Sequence, residues 1–192
     1  MRLDEITPED LTAEQAAVLD AIRGGPRAAS GRGPKLQGLV GPYGVWVRAP
    51  SVGIEAQALG AAVRFASSLP ESVKEAAICT VGAFYRAKFE FAAHRILGLE
   101  AGLDPADLEA LRVGDTPSFA GDKAAAHAVA AELLRDHRLS DATYAAAADA
   151  FGEAGLVELV TTVGYYCLIS HTLNAFEIPL PADWDDPFPD QT

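Results

Sequence analysis

Apolar residues recur along most of the chain at intervals of three and four positions, which is the spacing of an amphipathic or buried helix. No segment keeps the two-residue alternation that is typical of a half-buried strand. Most of the apolar runs are rich in alanine and leucine and are bounded by Gly, Pro, Asp or Ser, which start or end helices. The pattern predicts an all-α fold with helices over about 12–23, 50–65, 70–103, 105–113, 120–136, 140–151 and 156–176.

Several of these helices carry recognisable terminal signals. Thr12 and Gln15 match a capping box, in which each side chain satisfies a free amide of the first turn. Ser68–Leu69–Pro70–Glu71 repeats this arrangement with a serine cap, an early proline and a glutamate three residues on. Gly102 suits a helix C-terminus, and Asp104–Pro105 then begins the next short helix.

Two segments are predicted to be irregular. Residues 24–44 are rich in glycine, proline and basic side chains, which predicts a flexible loop that is either a solvated surface segment or a lid. Residues 179–192 form a proline-rich acidic tail that should wrap over a surface or stay disordered. The length of 192 residues fits one domain with a substantial core.

The charge balance and the cysteines narrow the class of protein. With 27 acidic and 15 basic side chains the chain carries a net charge of -12, which repels nucleic acid and anionic membrane surfaces. The N-terminal residues do not combine a basic start with an apolar run, and no segment approaches eighteen uninterrupted apolar residues, so we expect a cytoplasmic protein without a membrane span. Cys79 and Cys167 form no Cys-x-x-Cys pair and are expected to be buried free thiols.

One segment carries candidate chemistry. Glu90 and His94 lie four residues apart, as do Glu75 and Cys79, so each pair shares a helix face. Glu90 would accept a proton from one ring nitrogen of His94, and the other nitrogen would face a substrate as general acid or base. An exposed helix pair worth a few tenths of a kcal/mol is the alternative. The apolar surroundings indicate a buried helix, in which Glu75, Arg86, Glu90 and His94 would meet.

The segment that holds these residues, Glu75–Leu103, resembles the signature of the carboxymuconolactone decarboxylase/AhpD-like family. In peroxidase-type members a helical glutamate is followed by Cys-x-x-Cys and, after three residues, by a histidine. With His94 in the place of that histidine, Glu75 is the glutamate, and Ala87 and Glu90 occupy the two cysteine positions. Thiol peroxidase chemistry needs an attacking and a resolving thiol, and neither position supplies one.

The resemblance implies an AhpD-like helical bundle of about six to eight helices and the decarboxylase-type branch of the family. We therefore expect a lyase or isomerase that uses no cofactor and acts on a small carboxylated or lactone-type substrate. Arg86 would hold the substrate carboxylate, His94 would deliver the proton, Glu90 would orient His94, and Glu75 would be a second acid or base. Family members assemble as trimers or hexamers, so a homo-oligomer is expected.

The family likeness extends more diffusely over 41–46 and 164–176, where aromatic residues are expected to line the substrate pocket. The pocket residues predicted in this way are Tyr43, Trp46, Tyr85 and Tyr166. Three alternatives stay open. The chain would be a non-catalytic protein that binds a small ligand, or keep a peroxidase activity like its cysteine-bearing relatives, or hold a metal between Glu75, Glu90 and His94.

Overall fold

The computed structural model describes residues 1–26 and 39–189, and in this part of the chain the regular structure is entirely helical. The predicted all-α, single-domain fold is confirmed. A 3₁₀ turn at Pro8–Asp10 and a wide π-helical turn at Ala62–Ala66 accompany the α-helices. These helices are α1 (Ala13–Gly24), α2 (Pro42–Trp46), α3 (Pro50–Ala61), α4 (Glu71–Phe84), α5 (Lys88–Glu100), α6 (Pro105–Val113), α7 (Asp122–Asp136) and α8 (Asp141–Ala175).

Helix α4 lies at the centre of the molecule. It packs against α5, α7 and α8, and α7 also packs against α8, while α1 and α2 pack against α3. Every residue from Val73 to Gly82 is buried, so the helix is covered on all sides. In a helix that is buried on all sides, ionisable side chains need hydrogen-bond or ion-pair partners. Four polar or charged side chains of α4 are buried: Lys74, Glu75, Thr80 and the Cys79 thiol.

The single helix predicted over 70–103 is wrong, because the chain turns a corner between α4 and α5. Helix α4 ends at Phe84, and Arg86 adopts a left-handed conformation with φ of 47°. Gly82 permits the close approach of the two helices, since a Cβ there would lie 3.3 Å from the backbone nitrogen of Phe91. The corner turns α5 back against α4 and sets His94 against Glu75.

The predicted cap at Ser68 is also wrong. The residue before α4 is Pro70, and no side chain caps this helix. The hydroxyl of Ser68 instead donates to the carboxylate of Glu158 at 2.9 Å, as does that of Ser67. The capping box of Thr12 and the cap of α6 by Asp104 are confirmed.

The last two predicted helices are both present, and α8 comprises the two joined end to end. Their boundary survives as a kink at Gly152, whose φ of 67° is outside the helical range. By length and composition α8 is apolar enough to cross a membrane, and half of its most apolar window is buried within the protein. Core helices of soluble proteins share these properties, so α8 is weak evidence for a membrane span.

The two irregular segments have different outcomes. Most of the loop predicted over 24–44 falls on 27–38, outside the described residues. Its predicted end is wrong, because Pro42–Trp46 is helical and mostly buried. The described part of the tail, 179–189, wraps over the surface, which is one of the two outcomes that the sequence predicted for it. It buries Phe188 against Phe91 and sets Trp184 against Phe89.

Candidate functional site

A buried ion pair joins the wide turn after α3 to the central helix. The guanidinium of Arg64 donates from Nη1 to Oε1 of Glu75 at 2.5 Å. Arg64 is 5% exposed and Glu75 is 1% exposed. Burial alone would raise the pKa of Glu75, but the charges and hydrogen bonds of His94 and Arg64 outweigh it and hold that pKa below its usual value. Glu75 is therefore a buried carboxylate that is anionic at neutral pH.

His94 lies between two carboxylates. Its Nδ1 is 2.7 Å from Oε2 of Glu75, and its Nε2 is 3.1 Å from Oε1 of Glu90, one helical turn earlier on α5. The Glu75 carboxylate only accepts hydrogen bonds, whereas the Arg64 guanidinium, whose Nη1 lies 3.4 Å from the same nitrogen, only donates them; the shorter contact with Glu75 favours a proton on Nδ1. Nε2 and Glu90 form the second contact of the ring, at ion-pair distance. The predicted proximity of Glu75, Glu90 and His94 is thus present in the structure.

Tyr166 of α8 covers the imidazole. Its ring meets that of His94 edge to face, with centroids 4.9 Å apart. Burial raises the pKa of the Tyr166 phenol well above its usual value; the positive charge of Arg64 opposes this, and the negative charges of Glu90 and Glu75 add to it. The hydroxyl therefore stays protonated, and Tyr166 is an uncharged aromatic neighbour of the imidazole.

Cys79 lies within the field of the same carboxylates. It is fully buried, and burial together with Glu75 and Glu90 raises the pKa of its thiol well above the ordinary value, although Arg64 acts in the opposite direction. A thiol held neutral is a poor nucleophile. The other cysteine, Cys167, is also free and half-buried on α8.

Arg64 owes its position to the wide turn. A π-helical turn has one residue more than an α-turn and leaves the usual carbonyl ladder incomplete. The buried Lys74 compensates by donating from Nζ to the carbonyl of Arg64 at 2.7 Å, and it also pairs with Glu71 at 2.7 Å. Sequence reasoning missed both Arg64 and Lys74. A lone arginine inside the apolar run Ala61–Ala66 was the available signal.

Arg86 is not where the sequence analysis expected it. It lies at the exposed corner between α4 and α5, and its guanidinium sits 4.8 Å from the centroid of the Phe188 ring. The expected meeting of Arg86 with Glu75, Glu90 and His94 is therefore corrected, since Arg64 supplies the cation. An exposed arginine on a helix corner gains more from the face of a buried ring than from entering the core.

The predicted pocket aromatics divide into three places. Tyr166 lies on His94, whereas Trp46 packs between Tyr43 and Tyr165. Tyr85 sits against His171 with ring centroids 4.6 Å apart. A cleft of about 570 Å³ lies beside the α4–α5 corner, and within the described chain none of the four predicted aromatics belongs to its lining.

Glu75, Glu90 and His94 do not form a metal site of usual geometry. Across residues 1–26 and 39–189, no group of three or more His, Cys, Asp or Glu side chains is arranged to hold a metal ion. The reason is visible in the contacts, because the two carboxylates approach opposite nitrogens of the ring. Their oxygens pair with the imidazole rather than converge on a common point.

Comparison with known proteins adds no family assignment. No protein-family model matches the chain, and no curated protein matches it. What stands is the class that fold and site define: an all-helical protein in which an arginine, two glutamates and a histidine meet in the interior.

Proposed function

We propose that this protein is a lyase or isomerase of the carboxymuconolactone decarboxylase type, which moves a proton to or from a carbon atom of a small carboxylated or lactone-type substrate. The observation that carries the proposal is the placement of His94 between Glu75 and Glu90 in the interior. An imidazole fixed at Nδ1 by a buried carboxylate and facing a second carboxylate at Nε2 is suited to general acid–base catalysis.

The roles follow from the contacts and differ from those that the sequence suggested. Glu75 orients the ring, because it accepts from Nδ1 and is itself held by Arg64. Glu90 is the proton partner of Nε2, 3.1 Å away. Arg64 offsets the negative charge of the two carboxylates and strengthens the field at the site.

For decarboxylation, the bond between the carboxylate carbon and its neighbour breaks and carbon dioxide leaves. The electron pair stays on the neighbouring carbon as an enolate conjugated with a carbonyl. His94 gives that carbon the proton on Nε2 and is reprotonated from solvent through Glu90. For isomerisation, the same pair removes a proton next to a carbonyl and returns it to another carbon.

The absence of a thiol pair at the family positions weighs against peroxidase activity. Ala87 and Glu90 occupy those positions, and the pKa of the Cys79 thiol is raised by burial. A non-catalytic ligand-binding protein is the second candidate. It is favoured by one observation: both ring nitrogens of His94 are engaged by protein carboxylates, and the side chain is only 8% exposed.

The test follows proton transfer directly. Wild type is incubated in deuterated water with a panel of 3-oxo acids and unsaturated lactone carboxylates, and deuterium at carbon is measured by NMR. We expect His94→Gln and Glu90→Gln to lower the rate by about 10²–10⁴-fold, the usual contribution of a general acid or base. His137→Asn is the matched control, because this exposed histidine occupies a left-handed position that asparagine accepts.

Wild type that is folded and exchanges no substrate proton across the panel would favour the binding protein. Peroxide reduction with a dithiol donor is measured in parallel. Activity there that survives in a variant without Cys79 and Cys167 excludes a cysteine mechanism.

We also propose a homo-oligomer. Helix α8 presents a row of exposed apolar residues at helical spacing: Val157 is 61% exposed, Val160 38% and Leu168 44%. Gly164 lies in the same row, and a Cβ added there would meet no atom of the described residues within 4 Å. A second copy of this face would bury the row. Sedimentation equilibrium of wild type and of Val157→Glu tests this, with a monomer expected only for the variant.

A further inference from the structure

The cleft of about 570 Å³ lies between the α4–α5 corner and the stretch of chain that follows α8. Its volume is within the range of sites that hold small organic molecules. Phe89 and Leu173 of its lining are buried, and Ile178 and Leu180 are half-buried. The cleft therefore presents apolar walls to a ligand.

Both acidic side chains of the lining already have cationic partners. Glu177 pairs with Arg2 at 2.7 Å, and Asp186 pairs with Lys88 at 2.7 Å. Burial would raise the pKa of Asp186, but Lys88, a backbone amide and the charge of Arg86 hold that pKa below its usual value. A cationic ligand in the cleft would have to compete with these cations for each carboxylate.

The basic side chains of the lining are engaged in the same way. Arg86 and Lys88 both act on Asp186, and the Arg86 guanidinium also lies 4.8 Å from the centroid of the Phe188 ring. The net charge of -12 opposes the approach of an anion. Because a charge is costly to remove from water unless a counter-charge receives it, this balanced cleft favours an uncharged ligand.

Asn174 supplies the uncharged polar group of the lining. Its Nδ2 donates to the carbonyl of Tyr85 at 2.9 Å, which fixes the orientation of the side-chain amide. The amide oxygen is a hydrogen-bond acceptor. It therefore suits a ligand that carries a hydroxyl donor.

The tail holds its side of the cleft in place. Asp186 is tied to Lys88, and Trp184 packs on Phe89 with ring centroids 5.5 Å apart. Phe188 anchors the tail further along, against Phe91. A site that is formed before its ligand arrives loses little free energy to ordering on binding.

We propose that the cleft binds a small uncharged alcohol or phenol, with its apolar body against Phe89, Ile178 and Leu180 and its hydroxyl on the amide oxygen of Asn174. This ligand differs in charge from the carboxylated substrate proposed above. His94 and its two carboxylate partners also lie outside the described lining. The cleft is thus a second binding site, and the inference does not depend on the proposed proton transfer.

The experiment is isothermal titration calorimetry of the full chain, near neutral pH, with four probes that share one phenylpropyl body. These are 3-phenylpropanol, its methyl ether, the anion 3-phenylpropionate and the cation 3-phenylpropylammonium. We expect the alcohol to bind about tenfold more tightly than either ion, because the ions find no counter-charge that is not already engaged. The ether, which has no hydroxyl donor, should bind roughly fivefold more weakly than the alcohol.

Asp186→Asn tests the charge argument. Oδ1 of Asp186 accepts from the backbone amide of Phe188 at 2.8 Å, a contact that asparagine can keep, while Oδ2 pairs with Lys88. Lys88 and Arg86 lose this anion in the variant, so affinity for 3-phenylpropionate should rise about tenfold and affinity for the alcohol should not change. Glu109→Gln, which removes a carboxylate outside the cleft lining, should alter neither affinity.

Two further variants locate the ligand. Ile178→Ser removes part of the apolar wall and should weaken binding of the alcohol by about fivefold. Val52→Ser, at an exposed valine of α3 outside the lining, is its control and should leave the affinity unchanged. Asn174→Ala should lower the affinity for the alcohol to that for the ether. Circular dichroism verifies that each variant is folded.

Binding of either ion as tightly as the alcohol overturns the proposal, as does the absence of saturable heat with millimolar alcohol. Equal effects of Ile178→Ser and Val52→Ser would place the ligand outside the cleft and overturn it as well. An unchanged affinity of Asp186→Asn for 3-phenylpropionate would contradict the charge balance from which an uncharged ligand is inferred.

Discussion

One carboxylate oxygen of Glu75 accepts a hydrogen bond from Nη1 of Arg64 at 2.5 Å, and the other oxygen lies 2.7 Å from Nδ1 of His94. Both partners of the ion pair are almost completely buried. Removal of one member of such a pair leaves the other charge in the interior without compensation, which costs about 3–5 kcal/mol. The pair is therefore a structural element of the interior.

We expect Glu75→Gln to lower the free energy of unfolding by about 3–5 kcal/mol, because Arg64 keeps its charge and loses its anion. Urea unfolding followed by circular dichroism measures the change. The matched control is Glu109→Gln, which breaks the exposed pair between Glu109 and Arg112 at 2.6 Å and should cost at most about 1 kcal/mol. Equal losses in the two variants would contradict the buried pairing.

The same carboxylate makes stability depend on acid. The pKa of Glu75 is lowered in the folded protein, against the effect of burial, by His94 and Arg64. A group with a lowered pKa stabilises the fold fully above its unfolded pKa, and this contribution is lost as the pH falls through the folded pKa. The difference in unfolding free energy between wild type and Glu75→Gln should hence be largest near neutral pH and shrink in acid. Urea titrations at a series of pH values measure it, and a difference that grows in acid would refute this linkage.

The two thiols should differ in reactivity. Cys79 is fully buried, and burial with Glu75 and Glu90 raises its pKa, whereas Cys167 is only half-buried. We expect iodoacetamide at pH 8 to label Cys167 first in native protein, and to label Cys79 only at the rate of unfolding. Mass spectrometry of the Cys167→Ser and Cys79→Ser variants follows each thiol alone. Rapid labelling of Cys79 in folded Cys167→Ser would mean that the cluster opens to solvent.

The tail contributes to the core through Phe188, which is 1% exposed and packs on Phe91 with ring centroids 5.2 Å apart. Phe188→Ala should destabilise the protein by about 3–5 kcal/mol, the usual result of emptying a buried phenylalanine site. Phe84→Ala is the control, because that ring is 55% exposed and should change stability far less. Thermal unfolding compares the two, and a Phe188→Ala variant as stable as wild type would show that the tail is dispensable.

Much of the fold could be predicted from local signals. Helix-period apolar runs gave the all-α class, and side-chain caps at Thr12 and Asp104 marked two starts correctly. The corner after Phe84 could not be predicted, because Tyr85, Arg86 and Ala87 include neither glycine nor proline and apolar residues flank them on both sides. The break depends instead on the contact between α4 and α5, which periodicity does not record.

The candidate site could also be predicted only in part. Glu90 and His94 could be paired in advance, because residues four apart on a helix are neighbours. Glu75 was expected near His94 from the apolar surroundings of the segment and from the family resemblance, and the structure does set it against His94. Arg64 could not be inferred in this way, since it reaches Glu75 only through a wide turn and the packing of two helices. The buried partner of a charge is a tertiary property, and a single sequence gives its candidates without choosing among them.

The turn at Ala62–Ala66 makes the interior sensitive to chain length. One residue fewer would convert it into an ordinary α-turn, and each α-helical residue turns the chain by roughly 100° about the axis. The apolar side of α3 and the guanidinium of Arg64 would then no longer both point inward. Deletion of a single alanine there would keep the composition of the interior. It would rotate the guanidinium of Arg64 toward solvent, so that Glu75 would lose the positive charge that this turn supplies.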